Sequence, residues 1–272
     1  FLSDSCYLTS AARRVTTNEF CCTFAVPKTD GYSVQRLLRG LAEEKLVESP
    51  VVSHVTWKKA HMMQPEFFNL KKGVWQIDWP KLRKESSQKS DEKEVRTAEF
   101  DDLDLKIASE LEADAMVRLS DIASSLKTTL NNIFYHFHKH ITDGKLIDEF
   151  VIKWVGTTKQ ETMLVQFEFD TLSYNEEKTT RTALRKLPFL WNDAFSKETG
   201  YYVAEAMVPS SHYLETLNFL SSTLGETSRK LRVLLLDPKT RLQFSLPVQL
   251  FGEKDWAFNP DARVEQLGSK LK

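Results

Sequence analysis

Apolar residues in the middle of the chain recur at helical spacing and predict two short helices. Leu103, Ile107 and Leu111 lie four positions apart and therefore share one face of the first helix. Ser120 is a favourable N-cap residue for the second helix, which is expected to end near Leu126. Both helices are short and amphipathic, so each must bury its apolar face against a neighbouring element.

A third helix is predicted to begin at Thr128 and to end at Gly144, because glycine readily adopts the left-handed conformation that stops a helix. Its apolar residues follow the spacing i, i+3, i+4, i+7 and i+11, and we expect them to be buried. The opposite face of this helix is polar. The predicted buried set is Leu130, Ile133, Phe134, Phe137 and Ile141.

The hydrophobic period changes to two after the third helix, which predicts strands. Residues 146–154 and 162–170 both alternate, and residues 156–160 are expected to form the loop of a hairpin between them. Three short helices followed by a hairpin are typical of a winged helix-turn-helix. We assign this domain to residues 98–160.

The last part of the chain alternates strands and helices in the order β-α-β-β-α-β. This order predicts a ferredoxin-like fold, in which two helices cover one face of a four-stranded antiparallel sheet. We assign residues 161–272 to this domain and a C-terminal extension. The predicted strands are 162–170, 188–195, 200–208 and 232–237, and the predicted helices are 175–186 and 210–223.

The N-terminal part repeats the C-terminal domain at an offset near 182 residues. Residues 20–27 align with 202–209, and each segment ends in Val-Pro before a predicted helix. A predicted strand at 51–57 aligns with the strand at 232–237. We therefore assign residues 1–80 to a partial ferredoxin-like domain.

This first copy starts at what would be the second strand of its fold, and the chain begins with Phe rather than Met. We therefore expect upstream sequence that contains the missing strand and helix. The repeat also pairs Phe68 and Trp75 with Phe251 and Trp256. Residues 81–97 are charged and Ser-rich and are predicted to be a linker. The predicted fold class is α+β, with a winged helix-turn-helix between one partial and one complete ferredoxin-like domain.

Residues 101–155 resemble the helix-turn-helix of the leucine-responsive regulatory protein/AsnC family. The matching features are Asp102-Leu103-Asp104 at the start, Ser-Asp-Ile-Ala at 120–123, and the exit Gly144-Lys-Leu-Ile. In that family a ferredoxin-like regulatory domain, the RAM domain, follows the helix-turn-helix. The chain looks most like archaeal multidomain relatives. The resemblance implies a cytoplasmic transcription regulator that binds double-stranded DNA and pairs through its ferredoxin-like sheets.

The polar face of the third helix supplies the candidate DNA-binding residues. Asparagine bonds the edges of adenine, and lysine and tyrosine reach phosphates. A recognition helix needs such a face, although a helix surface exposed to solvent has the same composition. The candidates are Thr128, Thr129, Asn131, Asn132, Tyr135, His136 and Lys139.

The charge of the chain does not favour DNA binding. The net charge is −1, and residues 98–156 contain eleven acidic and six basic side chains. Non-specific affinity for DNA comes from Lys and Arg. Most of these acids lie in or beside the first helix, which faces away from DNA in this motif, so DNA binding stays the preferred interpretation.

Histidine, cysteine and aromatic residues are interpreted as structural. His136 and His140 share a helix face, but no third ligand is visible, so we predict neither a metal nor a cofactor. Cys21 and Cys22 are adjacent on a strand and point to opposite faces, which does not favour a disulfide. The aromatic residues near His61 are expected to cover a sheet face or an interface rather than to form a ligand cage. They are Trp57, Phe67, Phe68, Trp75 and Trp79.

Three functions remain open at this stage. The preferred one is the DNA-binding regulator, as a homodimer or higher even oligomer, with a small-molecule effector left open. The second is an enzyme on the same architecture, as in siroheme decarboxylase, for which His54, His61 and Arg36 are available. The third is a protein-interaction scaffold. The strand at 200–208 is apolar on both faces, so the copies should pair either within the chain or between chains. We expect no catalytic activity and no membrane span.

Overall fold

The computed structural model describes residues 7–17, 19–27, 31–84, 99–147, 150, 161–245, 247–252, 255–256 and 259–271. Within these ranges, no helix is both long enough and apolar enough to cross a membrane. The predicted hairpin loop at 156–160, most of the strand before it and most of the predicted linker lie outside the described residues.

The N-terminal copy begins with an antiparallel hairpin and a helix. β1 spans Leu8–Arg13, β2 spans Phe20–Phe24 and α1 spans Ser33–Glu43. The predicted helix after the Val-Pro pair is therefore confirmed, and it buries Leu37 and Leu41 completely. The chain continues as β3 (Trp57–Ala60), β4 (Phe68–Asn69), β5 (Val74–Trp75) and α2 (Trp79–Lys84).

Three helices form a separate cluster in the middle of the chain, as predicted. They are α3 (Asp102–Ala113), α4 (Leu119–Ser125) and α5 (Leu130–His136), and α5 continues as a π-helical turn over Phe137–Asp143. The second helix begins one residue before Ser120, and its N-cap is Arg118. The fully buried side chains of this cluster are Ile107, Ile122, Ile133 and Ile141.

The C-terminal copy has the predicted ferredoxin-like fold. Its four strands are antiparallel and lie in the order β7-β8-β6-β9, which places the first strand between the third and the fourth. The six elements are β6 (Thr162–Phe169), α6 (Tyr174–Leu184), β7 (Leu190–Ser196), β8 (Tyr201–Pro209), α7 (Tyr213–Leu224) and β9 (Leu231–Leu236).

The C-terminal extension returns to the N-terminal copy. It contains β10 (Leu242–Gln243), β11 (Phe251–Gly252), β12 (Asp255–Trp256) and α8 (Pro260–Leu271). On α8, Leu267 is 1% exposed and joins the apolar cluster of α1. A Cβ at Gly40 of α1 would lie 2.7 Å from Val264 of α8, so only glycine permits this close helix contact.

The predicted repeat is confirmed in the strand register. β1 pairs with β2 as β7 pairs with β8, at a constant offset of 182 residues. Both hairpins contain a register shift at the equivalent place, between Leu8 and Ser10 and between Leu190 and Asn192. The hairpins β1–β2 and β7–β8 therefore share one strand register, which supports the interpretation of the first half as a partial copy.

The two copies exchange edge strands. β3 follows the first copy but pairs with β7 of the second copy, and β10 follows the second copy but pairs with β1 of the first. Backbone hydrogen bonds extend both pairings, from His61 N to Trp191 O at 2.8 Å and from Phe244 N to Thr9 O at 2.9 Å. Each copy therefore completes the sheet of the other.

Two small hairpins, which follow the exchanged strands, also pack against the opposite copy. The rings of Phe68 and Trp75 lie 5.2 Å apart across β4 and β5, and Phe251 and Trp256 lie 5.2 Å apart across β11 and β12. Trp75 packs edge-on against Phe189 of the second copy at 5.8 Å. Trp256 packs against Tyr7, the equivalent residue of the first copy, at 5.9 Å. These aromatic residues thus cover sheet structure, as predicted.

The open face of the C-terminal sheet is covered by the N-terminal hairpin. Gln166 Nε2 donates to Cys21 Sγ at 3.0 Å, and Arg14 forms a 2.6 Å ion pair with buried Glu168. Burial raises the pKa of the Cys21 thiol, and the hydrogen bond from Gln166 only partly offsets this effect. Cys21 and Cys22 are both reduced cysteines rather than disulfide partners. The two copies are paired within one chain, whereas the family resemblance favours pairing between chains.

A buried ion-pair network joins β3 to the C-terminal copy. Asp193 has no exposed surface and accepts hydrogen bonds from Arg185 and from the Tyr202 hydroxyl, while His61 Nε2 lies 2.8 Å from its Oδ1. Burial alone would raise the pKa of Asp193, but the hydrogen bonds of His61 and Arg185 lower it. His54 instead contacts Gln35, so the two histidines considered for an enzyme have different partners.

The predicted strand at 51–57 is wrong, because the strand lies at Trp57–Ala60 and residues 51–55 have no strand structure. In the second copy the equivalent strand, β9, pairs with β6. No described residue of the first copy forms a strand equivalent to β6, so residues 51–55 have no strand to pair with there.

The predicted linker also begins too early. Residues 81–84 belong to α2, and Leu82 is 4% exposed in the main apolar core. A boundary at residue 80 therefore divides the sequence between the two copies, but residues after it still pack in the main apolar core.

Trp75→Ala is expected to lower the free energy of unfolding by about 3–5 kcal/mol, because it removes a large ring that is 4% exposed. Hydrogen exchange should show the loss of protection in β7 and β8, because the ring packs on Phe189, which precedes β7 and accepts a backbone hydrogen bond from Met207 of β8. Leu70→Ala, in the same small hairpin but 76% exposed, is the matched control and should change stability by less than about 0.5 kcal/mol. A loss of protection confined to β1, β2 and α1 would contradict the exchange.

Candidate nucleic-acid interface

The start of α5 is held by two threonines and an asparagine. The Thr129 hydroxyl accepts the backbone N–H of Asn132 at 3.3 Å and caps the helix. The Asn132 side chain donates to the Thr128 hydroxyl at 3.2 Å and is half-buried. Thr128 and Asn132 therefore stabilise the helix start, while the exposed Thr129 also lies at the outer surface.

Three of the predicted DNA-binding residues share the exposed face of α5 and its π-helical continuation. Asn131, Tyr135 and Lys139 are four positions apart, and all three are exposed. Lys139 Nζ lies 2.5 Å from the Tyr135 hydroxyl and 5.0 Å from the centre of its ring. This hydrogen bond raises the pKa of Lys139, so the amine stays protonated. The face thus combines an amide, a phenol and a positive charge.

Two apolar residues lie on the outer surface of α5, where the sequence predicted burial. Leu130 is 48% exposed and Phe134 is 54% exposed. The Phe134 ring lies 4.2 Å from the ring of the exposed His138. The predicted burial of Leu130 and Phe134 is therefore wrong, whereas Ile133 and Ile141 are fully buried as expected.

The inner surface of α5 faces a buried carboxylate. Asp104 on α3 has no exposed surface, and its two oxygens lie 2.8 Å from His136 Nδ1 and 2.7 Å from His140 Nδ1. One oxygen also accepts the backbone N–H of Asp101, which completes a capping box at the start of α3. Burial would raise the pKa of Asp104, but the hydrogen bonds of His140, Asp101 and His136 together lower it.

His136 was a candidate for DNA contact, and the structure contradicts this position. It is 8% exposed and turned toward α3. A carboxylate buried among apolar residues needs hydrogen-bond donors, and His136 and His140 supply them. The helix is consequently rotated so that the histidines face inward, which leaves Leu130 and Phe134 outside.

Asp104 was missed by the sequence analysis, although a signal for it exists. Asp104 lies three and seven positions before Ile107 and Leu111, so helical spacing places it on the buried face of α3. His136 likewise follows the buried Ile133 by three positions. An acidic residue and a histidine on two apolar helix faces predict a buried pair.

No protein-family model matches the sequence, and a search of curated proteins finds no significant relative. Several solved structures resemble part of the chain. The protein PH0061 is 11% identical with a TM-score of 0.47, over 54% of this chain and 99% of its own length. The transcriptional regulator NMB0573 of Neisseria meningitidis, solved as an L-Met complex, is 12% identical with a TM-score of 0.44, over 55% and 97%.

An AsnC family transcriptional regulator from Agrobacterium tumefaciens is 16% identical with a TM-score of 0.43, over 55% of this chain and 98% of its own. The last two proteins are described as transcriptional regulators rather than as enzymes. The likeness covers about half of this chain.

The rotation of α5 can be tested with two neighbouring residues that the sequence predicted to be equally buried. Ile133→Ala should lower the free energy of unfolding by about 2–5 kcal/mol, because it leaves a cavity in the core of the helix cluster. Phe134→Ala should lower it by less than about 1 kcal/mol, because the ring is more than half exposed. Urea denaturation of both variants measures this difference, and equal losses would contradict the orientation of α5.

Proposed function

We propose that the chain is a DNA-binding transcription regulator of the leucine-responsive regulatory protein/AsnC type, in which α5 enters the major groove. The observation that carries this proposal is the exposed face of Asn131, Tyr135 and Lys139 on the third helix of a packed three-helix unit. A helix-turn-helix places the corresponding helix in the groove with its first residues at the base edges.

The residues on this face have distinct roles in the proposal. Asn131 lies in the first turn of α5 and contacts a base, preferably adenine. Leu130 and Phe134 supply apolar surface of the kind that contacts thymine methyl groups. Lys139 and Thr129 contact phosphates and set the position of the helix on the duplex. His136 has no part in this interface, because it is buried against Asp104.

Charge and stoichiometry favour binding as a pair of chains. The helix cluster carries few free basic groups, since Lys106 pairs with Asp102 and Arg118 pairs with Asp121. The described residues contain a single helix-turn-helix unit. Two units at half-sites roughly 34–36 Å apart would double the contacts. We therefore propose that a homodimer or a higher even oligomer binds DNA.

An effector site is not assigned. The described part of the chain has an apolar cleft of about 180 Å³ lined by Ala25, Val26, Pro27 and Trp256. Sites for small molecules usually measure about 300–1,000 Å³, so this cleft is too small for a typical one.

Asn131→Ala and Lys139→Ala should have different effects on DNA binding. Asn131→Ala should reduce discrimination at one base pair by about 1–3 kcal/mol, because a base contact is lost. Lys139→Ala should weaken all sequences alike and make the salt dependence shallower by about one unit, because a phosphate contact is lost.

Fluorescence anisotropy with duplexes selected from a random library by the unaltered protein measures both effects. Lys106→Ala on α3, away from the proposed interface, is the control and should bind like the unaltered protein. Unchanged binding in both α5 variants would place DNA recognition elsewhere. If the unaltered protein selects no duplex, the exposed Leu130 and Phe134 favour the scaffold function instead.

The proposed oligomer predicts the mass of two chains or of a higher even number in light scattering at micromolar concentration. A mass of one chain across the accessible range would contradict it. The internal pairing of the copies would then be the only pairing of these sheets.

A further inference from the structure

The buried cluster of Asp104, His136 and His140 is not used by the proposed DNA interface. Asp104 lies on the first turn of α3, His136 ends α5, and His140 lies on the π-helical turn. One carboxylate oxygen of Asp104 and one ring nitrogen from each histidine all lie within 4.8 Å of one another. Three potential ligand atoms, from α3, α5 and the π-helical turn, therefore converge on one point.

The cluster is enclosed on one side and accessible on the other. The side chain of Asp104 has no exposed surface and that of His136 is 11% exposed, whereas that of His140 is 24% exposed. An ion could therefore enter beside His140. The partly exposed carboxylate of Asp101 lies 3.8 Å from His136 Nδ1.

We propose that Asp104, His136 and His140 bind a divalent transition-metal ion, and that Zn²⁺ fits this donor set best. Two imidazole nitrogens and one carboxylate oxygen are ligands that Zn²⁺ takes together, with water in the fourth position. Mg²⁺ and Ca²⁺ prefer oxygen ligands throughout, so the two nitrogens select against them.

Binding of the ion to neutral histidines releases no proton, because each ring keeps its one hydrogen. In the arrangement seen here, each Nδ1 faces a carboxylate oxygen and donates its hydrogen when the ring is neutral. Metal coordination uses the Nδ1 lone pair, so each ring keeps one hydrogen by moving it to Nε2. The ion replaces two hydrogen bonds with three coordinate bonds, one to the carboxylate oxygen and two to ring nitrogens at about 2.0–2.1 Å. The ligand atoms need only small shifts, since they already converge.

Because the ligands lie on different helical segments, a bound ion would stabilise the packing of these segments. It would connect α3 directly to α5 and to the π-helical turn, and π-helical turns are often found at functional sites. An ion that binds only the folded chain stabilises it by mass action. The exposed Tyr135 and Lys139 adjoin the two histidine ligands in sequence. The proposal does not depend on DNA binding.

The test uses the full chain, first freed of metal with a chelator. Titration with Co²⁺ should give the visible absorption of a low-symmetry, nitrogen-coordinated site that saturates at one ion per chain. Zn²⁺ should displace this signal and raise the melting temperature. His140→Gln, at the partly exposed ligand, should weaken the affinity for Zn²⁺ by about tenfold or more. His138→Gln is the matched control, because His138 is exposed on the same turn.

Three results would overturn the proposal. The first is no saturable Co²⁺ signal with the unaltered chain, which would leave the cluster as a hydrogen-bonded pair only. The second is an unchanged Zn²⁺ affinity in His140→Gln, which would place the ion elsewhere. The third is an equal loss in His138→Gln and His140→Gln. Far-ultraviolet circular dichroism establishes that each variant is folded, and His136→Gln provides a second ligand variant if His140→Gln is not.

Discussion

The backbone hydrogen bonds of two strands, β1 and β7, determine the rest of this structure. A strand at the edge of a sheet exposes unpaired N–H and C=O groups and readily accepts another strand. Each of these two strands receives its outer partner from the segment that follows the other copy, β10 on β1 and β3 on β7. The small aromatic hairpins and the helices α2 and α8 follow these segments, so the strand pairing also decides where they pack. Neither copy has a complete sheet or a complete core without the other.

The spacing of apolar residues predicted the strands and helices that pack against elements close to them in the sequence. β6, β7, β8 and β9 and the two helices between them were located within a few residues, because their apolar spacing reports burial directly. Alternation does not tell which strand lies beside which, so the exchange was not predictable from it. The strand expected at 51–57 failed for this reason. Its residues have the right pattern, but the partner that the second copy provides to β9 has no counterpart among the described residues of the first.

At the candidate site, helical spacing likewise predicts some features, while others depend on residues far away in the sequence. The existence of the three helices and the exposed positions of Asn131, Tyr135 and Lys139 followed from helical spacing. The rotation of α5 did not, because it depends on a carboxylate that lies 32 positions earlier in sequence than His136. A buried charge without partners is more costly than two exposed apolar side chains, so the histidines take the inner face. The sequence of α5 alone therefore does not predict its rotation, because the buried carboxylate belongs to α3.

The internal pairing also limits which surfaces are left for the dimer proposed above. Here the pairing of two copies occupies the open face of the C-terminal sheet within one chain, through Cys21, Gln166, Arg14 and Glu168. The described residues contain one helix-turn-helix for these two copies. In the dimer proposed above, the second chain therefore uses a surface other than this covered face.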